Sequence, residues 1–122
     1  MSVGMPAAMK LDLFGDQVFM AFGEIPYLVG SALTKKRGWR DVDVRLILTD
    51  EEWAALGLGE HVIGWSGASE KCMSLCLAYS ALGKEMTELP IDFQIQQKTY
   101  ANDRYKELPR SPLGIVPWRF TK

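Results

Sequence analysis

Two periods of apolar residues alternate along the chain. From Ala8 to Phe22 the apolar positions Met9, Leu13, Val18, Met20 and Phe22 are spaced for a helix, interrupted at Gly15. Pro26 disfavours helix in the residue before it, so Glu24-Ile25-Pro26 ends this element and Tyr27-Leu28-Val29 is predicted as a short strand stopping at Gly30. A turn of helix is predicted over Ser31 to Arg37, halted by Gly38. Asp41 to Leu48 alternates cleanly: Val42, Val44, Leu46 and Leu48 share one face of a strand, and Asp41, Asp43, Arg45 and Ile47 share the other. Thr49 or Asp50 caps a short helix through Leu56, with Glu51 and Glu52 in its first turn, where the helix dipole favours negative charge.

Residues 57–68 contain four glycines and no steady period, so a loop with at most a brief extended piece is expected. From Ser69 the helical period returns, and Cys72, Leu75, Cys76, Tyr79, Leu82 and Met86 form one apolar stripe. Leu89-Pro90 ends the connection. Ile91, Phe93 and Ile95 then alternate with Asp92, Gln94 and Gln96 on a further strand. The last stretch, 97–122, carries Pro109, Pro112 and Pro117 with little periodicity and is expected to be irregular or to pack as a tail against the domain. The elements add up to one α/β (α+β) domain over 1–122: a small mixed sheet of at least three strands flanked by helices, with its core over about 10–96.

Composition narrows the function classes. With 122 residues the chain has room for one domain, large enough to hold a core without disulfides or a structural metal. Two cysteines and one histidine make a poor zinc site. No apolar run approaches the ~20 residues of a membrane span, and the N-terminus lacks a signal-peptide pattern, so a cytoplasmic location without membrane contact is expected. The formal net charge of -1 conceals a basic end: residues 98–122 hold six Lys and Arg against two Asp and Glu. That end could meet phosphates or be a solvated segment, but the whole chain is too balanced for a nonspecific nucleic-acid binder.

Asp41, Asp43 and Asp92 need an explanation beyond folding, because strands disfavour aspartate. Two readings are open: a solvated sheet face, or carboxylates gathered around a cation that relieves their repulsion. All-oxygen ligands suit Mg2+ or Mn2+, which take a few carboxylates together with water and substrate phosphates. Gly30-Ser31 closes the first predicted strand in a turn that lets a phosphate approach closely. Lys35, Lys36, Arg37 and Arg40 follow; one of them against a triphosphate, or all of them in a solvated turn, are equally open readings. Arg45 shares the face of Asp41 and Asp43 and could pair with a carboxylate or touch phosphate.

Tyr27-Leu-Val-Gly-Ser31, nine residues, then Asp41-Val-Asp-Val44, and later Ile91-Asp-Phe93, resembles the signature of the DNA polymerase beta-like nucleotidyltransferase superfamily. The likeness covers about 10–96 and is greatest to its minimal, stand-alone prokaryotic and phage members. It implies that Gly30 and Ser31 hold nucleotide phosphates, that Asp41 and Asp43 bind metal, and that Asp92 is the third carboxylate, helping to deprotonate the attacking hydroxyl. The implied reaction transfers a nucleoside monophosphate from an NTP to an acceptor and releases pyrophosphate. Many members carry an extra helical domain for the acceptor, and only 26 residues follow Gln96 here. The acceptor is then expected to be held by a partner protein, by the basic end (a nucleic-acid acceptor included) or by a second copy in a homodimer. The alternative is an antitoxin-like or degenerate module of the same fold that binds a partner protein.

Other candidates are set aside. Gly57-Leu58-Gly59 lacks the third glycine of a dinucleotide fold, and there is no P-loop sequence. Cys72 and Cys76 are read as core, His61 as a loop histidine, and Trp39, Trp53, Trp65 and Trp118 as packing residues before base-stacking ones.

Overall fold

The computed structural model describes residues 5–34, 41–63, 66–105 and 109–115. Within them run α1 (Ala7–Phe22), β1 (Tyr27–Val29), α2 (Ser31–Thr34), β2 (Val42–Leu48), α3 (Asp50–Ala55), β3 (Gly59–Ile63), β4 (Ser66–Ala68), α4 (Glu70–Thr87), β5 (Ile91–Gln97), α5 (Lys98–Tyr105) and β6 (Ser111–Pro112). The fold is mixed α/β. Four strands form one sheet in the order β5-β2-β1-β6, with β5 parallel to β2 and the other pairs antiparallel, while β3 and β4 make a separate antiparallel pair. A parallel pair needs a crossover, and α4 supplies it.

Alternation decides which face of the sheet is covered. Val42, Val44, Leu46 and Leu48 of β2 join Leu28, Ile91, Phe93 and Ile95 in the core, against Leu11, Phe14 and Val18 of α1 and Cys72 and Cys76 of α4. Phe14 and Tyr79 bracket the Phe93 ring at centroid distances of 6.1 and 5.5 Å. Lys10 near the start of α1 reaches Glu88 just beyond α4, and Phe22 at its end stacks on Tyr79, so the two helices run antiparallel over one side of the sheet. The opposite face, bearing Tyr27, Val29, Asp43, Arg45, Ile47, Asp92 and Gln94, is only partly covered.

The outer edge of β5 is closed by side chains of α4 instead of another strand. Ser80 Oγ accepts from the Phe93 amide at 2.9 Å and Cys76 Sγ from the Ile95 amide at 3.4 Å, which hides an edge that would otherwise invite pairing with another chain. The Cys72 thiol hydrogen-bonds the Cys76 sulfur, which pushes Cys72 up and Cys76 down, and both free thiols are buried. The apolar stripe expected on α4 drifts toward its end. Leu82 is exposed, while Gly83 and Thr87 are buried. A Cβ at Gly83 would lie 2.8 Å from Ile91 Cγ2, so the helix comes too close to β5 for a larger residue.

Two expectations need correction. Residues 57–68 hold the β3–β4 pair, whose period is hidden by glycine. The end of the chain, expected to be irregular or to pack as a tail against the domain, does pack against it but also contains α5 and β6. No apolar period marks α5; it is held because Tyr100 and Ala101 are buried and because Asp50 accepts from the Thr99 amide (3.2 Å) and hydroxyl. β6 carries Pro112 at the sheet edge, where a missing N–H does no harm. Beyond it Leu113 is fully buried against Gly15, where a Cβ would lie 2.7 Å from Leu113 Cβ and 2.8 Å from its carbonyl. Asp12 and Asp16 accept from the Gly114 and Ile115 amides at 3.0 and 2.7 Å, so the core extends past residue 96. No described helix is long and apolar enough to cross a membrane.

Candidate functional site

The second residue of β2 and the second residue of β5 are both aspartates, and the parallel register pairs Asp43 with Asp92. Adjacent strands lie about 4.8 Å apart, so both carboxylates stand side by side on the open face. Val29 pairs with Asp43 from the other side, which brings the turn after β1 to the same place. Gly30 there has φ +74, and a Cβ on it would collide with Asp43 Oδ2. Glycine is required twice over, by backbone conformation and by the carboxylate beside it.

Arg45, two residues beyond Asp43, lies between the two acids. Its Nη1 donates to the Asp92 carbonyl at 2.8 Å and the Val44 carbonyl at 3.1 Å, while Nη2 stands 3.4 Å from Asp43 Oδ1 and 3.5 Å from Asp92 Oδ2. Charge-assisted bonds run nearer ~2.8 Å, so the guanidinium is anchored by backbone oxygens and only loosely by the carboxylates. Burial pushes the Asp43 carboxyl above the ordinary range; Arg45 opposes this, and the charges of Asp92 and Asp41 together with a hydrogen bond to Asp92 add to it.

Hard oxygen donors under mutual repulsion fit one Mg2+ or Mn2+ ion held by Asp43 and Asp92 and completed by water or phosphate oxygens. Among the described residues no three Asp, Glu, His or Cys side chains gather as ligands. Asp41 is exposed and one residue short of β2, acting on Asp43 through its charge. Arg45→Gln tests the shared-cation idea. Losing that counter-charge raises Asp43 further, and a group with a raised folded value stabilises below the unfolded pKa and loses that contribution as pH rises through the folded one. The variant is expected to melt below wild type at neutral pH, to approach it on acidification, and to gain more from added Mn2+; equal Mn2+ responses in thermal unfolding would exclude an ion between the two acids.

The remaining expected residues are placed as follows. Ser31 opens α2, directly after Gly30. Lys35, Lys36, Arg37 and Arg40, like Trp39, Trp65 and Trp118, lie outside the described residues. His61 falls on β3 instead of in a loop, and Trp53 is a buried core residue whose indole donates to the Gly59 carbonyl at 2.7 Å.

Sequence reasoning missed a cleft of about 310 Å³ lined by Tyr27, Ile47, Lys98 and Arg110 among others. Lys98 and Arg110 registered only as part of a basic end, because the fold of that end has no periodic signal. Comparison of the chain with protein-family models, curated proteins and solved structures returns no match.

Proposed function

We propose that this protein is a metal-dependent nucleotidyltransferase that moves a nucleoside monophosphate from an NTP to a hydroxyl acceptor and releases pyrophosphate. The observation that carries the reading is the in-register pair Asp43 and Asp92 with the Gly30 backbone against the Asp43 carboxylate. Its motif likeness to polymerase beta-like nucleotidyltransferases points the same way. Asp43 and Asp92 would hold the ion, which when bound neutralises triphosphate charge and makes a hydroxyl more acidic. Asp92, the more exposed acid at 40% against 24% for Asp43, would take the acceptor proton. Arg45, fixed through carbonyl oxygens, offers its guanidinium to phosphate oxygens once the carboxylates turn to a metal. Gly30 and Ser31 are the phosphate contacts that the likeness implies, with Lys35 and Arg40 as further candidates through their positive charge and Asp41 as a rim carboxylate. The acceptor is a partner protein, a nucleic acid or a second copy of the chain.

One observation favours a second reading. The Arg45 guanidinium already offsets both acids, as in a degenerate, antitoxin-like module that only binds a partner protein. Purified protein incubated with each radiolabelled NTP, Mg2+ and candidate acceptors separates the two. The enzyme releases pyrophosphate and incorporates label, and it binds Mn2+ by paramagnetic resonance; neither NTP binding nor Mn2+ binding under any condition would leave only the partner-binding module.

A further inference from the structure

The open sheet face has three rows of side chains. Val29, Asp43 and Asp92 form the first, Tyr27, Arg45 and Gln94 the second, and Ile47 begins the third. Successive same-face residues are about 6.5 Å apart, so Ile47 lies roughly 13 Å along β2 from Asp43. The 310 Å³ cleft opens at this far end, on Tyr27 and Ile47 with Phe19 of α1 beside them, and Lys98, Arg110 and Glu24 supply its charges. One acid and two bases leave the lining net positive whether or not Glu24 is ionised. The volume lies at the small end of ligand sites, ~300–1,000 Å³, enough for one compact ring system.

Lys98 rests on anchored backbone, and the Arg110 guanidinium is itself held. Thr99, next to Lys98, is tied to Asp50 through its amide and hydroxyl, and Arg110 Nη2 donates to the Ala101 carbonyl at 3.4 Å. Such anchoring lowers the ordering cost of binding an anion. We propose that this cleft is a second ligand site for a small organic anion, a carboxylate or phosphate monoester on a flat apolar body. The anionic group meets Lys98 and Arg110, and the body lies on Phe19, Tyr27 and Ile47. The site uses none of Asp43, Asp92 or a metal, so it stands or falls apart from nucleotidyl transfer.

The test is amide NMR titration of the full chain, without metal or NTP, with naphthyl phosphate, naphthoate and uncharged naphthol. At least one anion is expected to shift Tyr27, Ile47, Thr49, Lys98 and Asn102 saturably, with naphthol at least about tenfold weaker, as expected for loss of a charge-assisted contact. Which anion binds more tightly tells phosphate from carboxylate. Lys98→Gln and Arg110→Gln should each weaken binding about tenfold. Lys98 is exposed, so its variant keeps the fold, and Lys84→Gln on α4 should change nothing. Absence of saturable shifts with both anions, shifts confined to other residues, naphthol binding as tightly, or an equal loss in Lys84→Gln would each overturn the proposal.

Discussion

Replacing Asp43 by asparagine is expected to lower NTP-dependent pyrophosphate release by at least about 100-fold, the scale of losing one preorganised electrostatic group, while raising the melting temperature at neutral pH. The two effects share a cause. Burial and the charges of Asp92 and Asp41 make the ionised Asp43 carboxylate unfavourable in the folded protein, and Arg45 offsets only part of this. Its folded pKa lies above its unfolded one, so its contribution to stability is present at acid pH and lost as pH rises through the folded value. Asparagine removes the charge at nearly constant size. The stability gain over wild type should therefore shrink as pH falls through the raised folded value and vanish below the ordinary carboxylate range, where Asp43 is protonated in both states. Asp92→Asn should lose comparable activity, and Asp41→Asn less, since Asp41 is exposed and outside the strand register. Calorimetry and pyrophosphate assays on the three variants check both halves. An Asp43→Asn protein with wild-type turnover removes the catalytic reading.

Gly30→Ala is the second large effect. A φ of +74 costs an alanine about 1–2 kcal/mol, and the new methyl collides with Asp43 Oδ2. A carboxylate can swing aside, so the chain should still fold, with the acid displaced from its place beside Asp92. Stability is expected to fall by about 1–2 kcal/mol, and activity by about 100-fold, as for direct loss of the acid. Gly57→Ala is the control: its φ is +69 and nothing lies within 4 Å of its Cβ, so it should show the same stability loss in denaturant unfolding with activity intact. Equal activity in the two variants would mean that the contact between Gly30 and Asp43 has no functional weight.

Local pattern reached a long way in this chain. Residues 41–48 and 91–96 alternate because one side of each strand meets α1 and α4, and the burial found in β2 and β5 follows that alternation apart from Gln96 and Gln97 at the end of β5. The start of each following helix was legible too, with the α3 cap narrowed to Thr49 or Asp50 and the helical period of α4 returning at Ser69. Thr49 forms a capping box with Glu52, and Ser69 accepts from the Cys72 amide at the start of α4. Glycine-rich β3 and β4, polar α5 and two-residue β6 were not legible, since they are held by partners distant in sequence: β3 meets β5, α5 is tied to Asp50, and β6 pairs with β1.

For the site, the sequence alone determined that Asp43 and Asp92 occupy the polar sides of two strands and that a glycine ends the strand before them, because a period of two and a chain break are local properties. Tertiary structure alone decided that β2 and β5 are neighbours in a register matching Asp43 to Asp92, that Asp41 stops short of them, and that Arg45 stands between them. It also decided that Lys98 and Arg110 face a common cleft. Register and neighbour choice are settled by the summed packing of α1, α4 and four strands, and no window of consecutive residues contains that sum.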